Sequence, residues 1–261
     1  MQQRRQPLLR VRPGAERGGQ GPPHLLAAAA RGAGALDAPP QAHLRLQRER
    51  QRLEDLLALE RAWRAQGYTH IAGVDEAGVG PLAGPVVAAA VMLPEEAALP
   101  GLDDSKALSP RERGRLFEAI LASGARVGIG LATPAEIDRL NVLQATRLAW
   151  RRAVTQLSPR PDLLLVDGRY RVDLDLAQVA IVGGDARCAV IAAASIVAKV
   201  TRDRVMCDLD ARYPQFGFAR HKGYATPAHL AALRRYGCSP AHRRSFLPLR
   251  FWQQALFDSP T

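Results

Sequence analysis

Residues 71–93 read IAGVDEAGVGPLAGPVVAAAVML. An apolar run ends in two adjacent acids, Asp75 and Glu76, and a glycine- and proline-rich segment then leads into a second apolar run. Short β-branched runs separated by Gly and Pro predict a strand, a tight turn and a second strand. A carboxylate at the buried end of an apolar strand is costly to desolvate unless a cation compensates it. A divalent metal ion, which prefers oxygen ligands, would supply that compensation.

Two further apolar runs lead to acids. Residues 163–166 are followed directly by Asp167, and residues 179–182 are followed by two glycines and Asp185. Ligands of α/β sheets bind outside strand ends, so acids at neighbouring ends would converge and repel one another. Hard oxygen ligands favour Mg²⁺ or Mn²⁺ over zinc, and two such ions can promote phosphodiester hydrolysis. The candidate catalytic and metal-binding residues are Asp75, Glu76, Asp167 and Asp185.

Each acid also has an ordinary structural interpretation. Asp167 precedes a glycine, as in common turns, and Asp185 could cap the helix that follows it. Successive residues of a strand point to opposite faces of the sheet. Asp75 and Glu76 can therefore share a site only if Glu76 lies where the strand twists into the turn, a bend that the glycines after it permit.

The rest of the chain alternates helical and strand patterns. Leucines and Trp63 at helical spacing predict an amphipathic lead-in helix, and capping signatures with proline start two later helices. This order predicts an α/β fold: a mixed sheet with helices on both faces and a helical C-terminal region. The predicted elements outside residues 71–93 are helices at 46–66, 110–123, 142–157, 188–210 and 227–236, a short helix from Pro134, strands at 126–131, 163–166 and 179–182, and a loop at 214–226.

The composition places limits on the molecule. The chain has 261 residues and a net charge of +11, which raises the odds of a polyanionic partner. Residues 1–44 lack periodicity and are rich in Arg, Pro, Gly, Gln and Ala, which predicts a disordered basic tail. That tail either adds non-specific affinity for nucleic acid or is an unselected extension. The predicted divisions are this tail, a lead-in helix at 45–67, a catalytic domain at 68–250 and a C-terminal tail at 251–261.

The same totals bear on location. No apolar run is long enough to span a membrane, and the N-terminus lacks the apolar core of a signal peptide. Three cysteines form neither a zinc-binding spacing nor an even set for disulfides. We therefore expect a cytoplasmic monomer with reduced thiols and no membrane partner.

Seven motifs make the chain resemble the ribonuclease HII family over roughly residues 69–250. They are residues 71–93, DDSKALS, LLVDG, GGDA, AASIVAKVTRD, PQFGFARHKGY and HRRSF. The resemblance implies a ribonuclease H-like fold with a five-stranded mixed sheet. It also implies a metal-dependent endonuclease that hydrolyses the RNA strand of RNA–DNA hybrids. In ribonucleotide-containing duplex DNA such an enzyme cuts on the 5′ side of the ribonucleotide and leaves 5′-phosphate ends.

Site roles carry over from the same resemblance. The four acids match the family's metal ligands for Mn²⁺ or Mg²⁺, and Asp203 is an alternative ligand whose place late in a helix better suits a structural pair with an arginine. The turn that recognises the ribonucleotide 2′-OH through its backbone corresponds to Gly78, Val79 and Gly80. Tyr224 matches the tyrosine that packs against the next sugar, and Lys106 matches a lysine near the phosphates. Lys199 and Lys222 are less certain neighbours.

One residue departs from the family pattern. The family has Arg or Lys between the two glycines of the turn, where this chain has Val79. A backbone contact survives that change, but a cation beside the phosphate is lost. Two alternatives stay open at this point: a hybrid-binding protein with an impaired site, and another nuclease of the same fold, such as ribonuclease HIII or a junction resolvase.

Overall fold

The computed structural model describes residues 40–95, 97 and 99–246. The strands in this part of the chain are β1 (Ile71–Ala77), β2 (Val86–Met92), β3 (Arg126–Ala132), β4 (Leu163–Asp167) and β5 (Ala177–Ile181). They form a five-stranded sheet in the order β3-β2-β1-β4-β5. The predicted mixed α/β sheet is confirmed.

The pairing of the strands gathers three strand ends at one edge. β1 and β2 are antiparallel, as are β2 and β3, whereas β1 is parallel to β4 and β4 is parallel to β5. Val74 lies opposite Val166, and Asp167 lies opposite Ile181. The carboxyl ends of β1, β4 and β5 therefore lie side by side, which is where α/β sheets bind their ligands.

Helices cover both faces of the sheet. One core contains Leu56, Leu116 and Val190, and the other contains Ile137 and Trp150. The first core joins the sheet to the first, second and fifth helices, and the second core joins it to the third and fourth. The helices are α1 (Pro40–Arg64), α2 (Pro110–Ala122), α3 (Pro134–Leu140), α4 (Val142–Val154), α5 (Ala189–Arg212), α6 (Phe218–His221) and α7 (Pro227–Tyr236), with short 3₁₀ turns at Gly184–Ala186 and Pro214–Phe216.

Helix α5 lies unusually close to β1. A methyl group at Gly73 would lie 2.2 Å from the carbonyl carbon of Val190, so only a hydrogen fits at that position. Residues 190–198 of α5 are all buried, which explains why this half of the helix is apolar on every side rather than amphipathic. This contact fixes the height of α5 above the strand that carries Asp75.

Several boundaries differ from the sequence-based predictions. Helix α1 begins at Pro40, inside the segment predicted as a tail, and β5 is Ala177–Ile181 rather than 179–182. The predicted loop at 214–226 contains a 3₁₀ turn and α6, because Phe216 and Phe218 stack at 5.4 Å in a small buried core. Residues 1–39 of the tail predicted at 1–44, and the predicted C-terminal tail at 251–261, lie outside the described residues.

No helix in the described ranges combines the length and the apolar character needed to cross a membrane. The cysteines are free thiols, with Cys188 buried, Cys207 exposed and Cys238 half-buried.

Glu60 of α1 holds the start of α5. Its carboxylate accepts a hydrogen bond from the Val190 N–H at 2.8 Å and a weaker one from the Cys188 thiol at 3.7 Å. Glu60 is 4 % exposed, and this burial raises its pKa from 4.5 to about 7, although the Val190 N–H opposes the shift. The lead-in helix is thereby joined to the loop that precedes α5.

We expect the Glu60 carboxyl to make stability depend on pH. Since its pKa is higher in the folded state than in the unfolded chain, its contribution is fully present below pH 4.5 and is lost as the pH rises through 7. The loss amounts to about 3 kcal/mol of unfolding free energy. Urea denaturation of Glu60→Gln between pH 4 and pH 8 should show a correspondingly flatter profile. Glu54→Gln, an exposed change on the same helix, should retain the wild-type slope between pH 5 and pH 8.

Candidate active site

Three of the predicted acids come together at the edge where β1, β4 and β5 end. Asp75 lies in β1, Asp167 is the last residue of β4, and Asp185 lies in the 3₁₀ turn after β5. One carboxylate oxygen from each lies within 4.8 Å of the other two. The parallel pairing of adjacent strands produces this convergence from segments that are far apart in sequence.

Hydrogen bonds from the backbone orient two of these carboxylates. The Glu76 N–H donates to Oδ1 of Asp75 at 2.7 Å, and the Gly184 N–H donates to Oδ1 of Asp167 at 2.8 Å. The second contact joins the end of β4 to the turn that carries Asp185. The geometry of the group is thus set before any ligand binds.

The electrostatics of the group call for a cation. Burial raises the pKa of Asp75 well above its ordinary range, and the charges of Glu76 and Asp167 raise it further. Burial also raises the pKa of Asp167, against the Gly184 hydrogen bond, and the charge of Asp185 adds to the effect. All the donor atoms are hard oxygens, which suit Mg²⁺, Mn²⁺ or Ca²⁺. The three carboxylates can therefore hold a divalent cation.

Glu76 lies apart from this group. Strand β1 continues through Ala77, so Glu76 points to the face opposite Asp75, where its Oε2 accepts a hydrogen bond from Nε1 of Trp150 at 3.0 Å. Burial raises its pKa to about 7, the Trp150 bond opposes that shift, and the charge of Asp167 adds to it. Glu76 borders the same cleft as Asp75 and Asp167 without belonging to the three-carboxylate group.

The lysines occupy different positions around the cleft. Nζ of Lys106 lies 3.0 Å from Oδ2 of Asp185, and most of the lysine side chain is exposed. Lys199 also borders the cleft, but it forms an ion pair with Asp203 at 2.6 Å. The predicted pairing of Asp203 with an arginine is wrong. Lys199 lies one helical turn before Asp203 in α5, and side chains at that spacing are neighbours on the helix surface. Lys222 contacts the Cys207 sulfur at 3.4 Å and does not line the cleft.

The glycine-rich turn and Tyr224 form the other wall of the cleft. Gly78, Val79 and Gly80 all line it, and the Val79 side chain is 38 % exposed. A methyl group at Gly80 would lie 4.0 Å from the Tyr224 ring, so the ring stands beside the turn with one half open to solvent. The residues matched to substrate contacts therefore lie next to the carboxylates.

Four residues that support the site were not predicted to do so. Trp150 holds Glu76. The Ser195 hydroxyl bonds the Ser105 hydroxyl at 2.8 Å and opposes the rise that burial causes in the pKa of Asp75. Two buried arginines, Arg202 and Arg243, lie beneath the turn. Both arginines fall inside motifs, TRD and HRRSF, but nothing in the local sequence shows that their side chains are buried.

Comparison with known proteins agrees with this geometry. Residues 72–250 match the family model described as Ribonuclease HII. A ribonuclease HII from Geobacillus kaustophilus is 58 % identical over 200 residues, which cover 77 % of this chain and 76 % of that protein.

Two solved structures share the fold. The ribonuclease H2 of Pyrococcus horikoshii OT3 aligns with a TM-score of 0.61 and 28 % identity, over 73 % of this chain and 100 % of that one. The ribonuclease HII in a complex with PCNA from Archaeoglobus fulgidus aligns with a TM-score of 0.59 and 27 % identity, over 67 % and 94 %. The chain belongs to the ribonuclease HII family and is a type II ribonuclease H, an endonuclease rather than a binding protein without activity.

Proposed function

We propose that this ribonuclease hydrolyses the phosphodiester on the 5′ side of a ribonucleotide, in RNA–DNA hybrids and in duplex DNA with embedded ribonucleotides. The products carry 3′-OH and 5′-phosphate ends. One observation supports this most directly: the three carboxylates of Asp75, Asp167 and Asp185 converge beside a glycine-rich turn and an exposed tyrosine. Acidic clusters of this kind promote phosphodiester hydrolysis by binding divalent cations.

Mg²⁺ or Mn²⁺ is the proposed cofactor, with Asp75, Glu76, Asp167 and Asp185 as the proposed ligands. Support comes from the convergence of three of these carboxylates and from the position of Glu76 in the same cleft. When bound, the cation neutralises the cluster, lowers the pKa of water and stabilises charge on the leaving oxygen. Trp150 holds the Glu76 carboxylate at the border of the cleft, and the Gly184 N–H keeps Asp167 aligned.

Substrate recognition is assigned to the opposite wall of the cleft. The 2′-OH distinguishes RNA from DNA, and backbone groups of Gly78, Val79 and Gly80 are positioned to meet it. Tyr224 would pack its ring against the following sugar. Lys106 would hold Asp185 in place and bring a positive charge to the backbone phosphate.

The enzyme is further proposed to be a monomer that acts on nucleic acid in the cytoplasm. Gel filtration at assay concentrations tests the oligomeric state.

A cleavage assay on matched duplexes tests the proposed function. One 5′-labelled strand carries a single ribonucleotide, the other version is all DNA, and each is incubated with Mg²⁺, Mn²⁺ or EDTA. We expect one cut 5′ of the ribonucleotide that requires a divalent cation, and no cut in the all-DNA duplex. Tight binding without cleavage under every metal condition would instead support an impaired hybrid-binding protein.

Asp75→Asn should abolish cleavage and at the same time stabilise the metal-free fold by roughly 1 kcal/mol, because it removes a buried carboxylate that lies beside two others. At Mg²⁺ concentrations near 100 times its Kd, the wild type should gain about 2.7 kcal/mol of unfolding free energy, and the variant should gain almost none. Thermal unfolding with and without Mg²⁺ measures both effects. Asp173→Asn, an exposed change outside the cleft, should match the wild type. Undiminished cleavage by Asp75→Asn would contradict the assignment.

Val79→Arg should strengthen substrate binding, because residue 79 is partly exposed at the cleft wall and the new guanidinium can reach a backbone phosphate. We expect kcat/KM to rise about tenfold at low salt, which corresponds to about 1.4 kcal/mol of additional substrate binding free energy. The slope of log binding constant against log salt should steepen by about 0.9. Leu121→Arg adds the same charge on the exposed side of α2 and should change neither quantity. Equal effects of the two variants would show that charge alone, rather than its place in the turn, is responsible.

A further inference from the structure

Two arginine side chains are buried beneath the β1–β2 turn without an ionic partner. Arg202 is 1 % exposed and Arg243 is fully buried. Within the described residues neither guanidinium lies in ion-pair contact with a carboxylate. Burying a cation without a counter-ion costs free energy. The hydrogen bonds of the two guanidiniums therefore indicate the structural role of these arginines.

Both guanidiniums bind backbone carbonyl oxygens of the turn. Nε of Arg202 donates to the Pro85 carbonyl at 3.1 Å, and its Nη2 donates to that of Ala83 at 3.2 Å. Arg243 reaches the part of the turn that faces the cleft. Its Nη2 donates to the Gly78 carbonyl at 2.5 Å, and its Nη1 donates to the Val79 carbonyl at 2.8 Å. Arg243 therefore holds two consecutive peptide groups.

The direction of these carbonyls determines the direction of the next two N–H groups. In a planar trans peptide the C=O and N–H bonds point in opposite directions. Because the Gly78 and Val79 carbonyls point at Arg243, the N–H groups of Val79 and Gly80 point away from it. Residues 78–80 line the cleft, and no acceptor among the described residues takes either N–H. Two adjacent donors are thus free to bind a ligand oxygen.

Position 78 is suited to glycine alone. Its φ of +93° lies in the left-handed region, and a methyl group there would lie 1.9 Å from Nε of Arg202. The main chain of the C-terminal segment also contacts the turn, since the Arg243 N–H donates to the Leu82 carbonyl at 2.9 Å. The turn is thus held by contacts from the C-terminal segment, including one from a residue 164 positions later in the chain.

We propose that Arg243 is a positioning residue for ribonucleotide recognition: it holds the Gly78 and Val79 carbonyls so that the Val79 and Gly80 N–H groups point at the sugar–phosphate oxygens of the substrate. The inference rests on the proposed function and extends it to a residue that touches no substrate. The charge of Arg243 polarises the same two peptide groups and makes their N–H groups stronger donors.

The surroundings of Arg243 are consistent with an anionic ligand above the turn. Burial, and then the charge of Arg202, lowers the pKa of Arg243 to about 9. Two cations that lie close together in a desolvated region produce a positive potential, which Asp138 opposes but no ion pair among the described residues neutralises. A nucleic-acid backbone brings the opposite charge to that place.

Two substitutions at Arg243 separate the roles of its shape and its charge. Arg243→Lys keeps the charge but cannot hold both carbonyls, and Arg243→Gln loses both properties. The readout is the ratio of dissociation constants for an all-DNA duplex and the same duplex with one ribonucleotide, measured in EDTA so that no cleavage occurs. We expect this ratio to fall about tenfold in both variants. Arg243→Lys should bind all-DNA duplex as the wild type does.

Two control variants exclude general effects. Arg244→Gln removes the neighbouring exposed arginine and should preserve the preference. Phe218→Leu loosens the small core beneath the turn without touching its carbonyls, and it should lower Tm while it leaves the preference intact. An unchanged preference in Arg243→Lys, or an equal loss in Phe218→Leu, would overturn the proposal. If the wild type itself fails to cut the ribonucleotide duplex, it is the proposed function that fails.

A measurement on the wild type keeps the test independent of variant folding. In ¹⁵N-labelled protein, the amide protons of Val79 and Gly80 should shift downfield when the ribonucleotide duplex is added. The all-DNA duplex should move them less. Shifts at these two amides no larger than those of the rest of the turn would refute the assigned direction of the N–H groups.

Discussion

The close contact between α5 and β1 is the constraint on which the site depends. At Gly73 only a hydrogen separates the strand from the backbone of Val190, so helix and strand meet at the smallest distance available. Because α5 lies there, its N-terminal end adjoins the turn with Asp185, and its later turns bring Ser195 and Arg202 beneath the cleft. A side chain at position 73 would displace all three groups at once.

Buried charges of opposite sign lie on the two sides of the cleft. The carboxylates of Asp75 and Asp167 face open space and repel each other, so they require cations. The guanidiniums of Arg202 and Arg243 have their hydrogen bonds satisfied by carbonyls, but their charge is not neutralised. A polyanion with its bound metal ions neutralises both sides together. The uncompensated charges of the free protein are therefore complementary to the proposed substrate complex.

Local patterns predicted the elements well where one residue type dominates a segment. The apolar runs gave the positions of β1, β2 and β4, and the capping boxes at Ser109 and Thr133 start helices as expected. Predictions failed where a short segment depends on distant contacts. Helix α6 lies in a predicted loop because Phe216 and Phe218 pack under residues remote in sequence. The prediction for Asp203 failed for a different reason: its partner, Lys199, lies one turn earlier in the same helix, where helical spacing alone makes the contact available.

By itself, the sequence determined the fold class, the family and the acids that end the strands, because strand runs, turn residues and motif spacing are local properties. Tertiary structure alone decided which acids share a group. Glu76 lies on the opposite face from Asp75 because β1 stays extended through Ala77. Asp185 lies beside Asp75 and Asp167 because β5 pairs parallel to β4. It also decided that Arg243 lies beneath the turn. Burial and orientation of a side chain depend on what packs against it, and that packing joins segments more than a hundred residues apart.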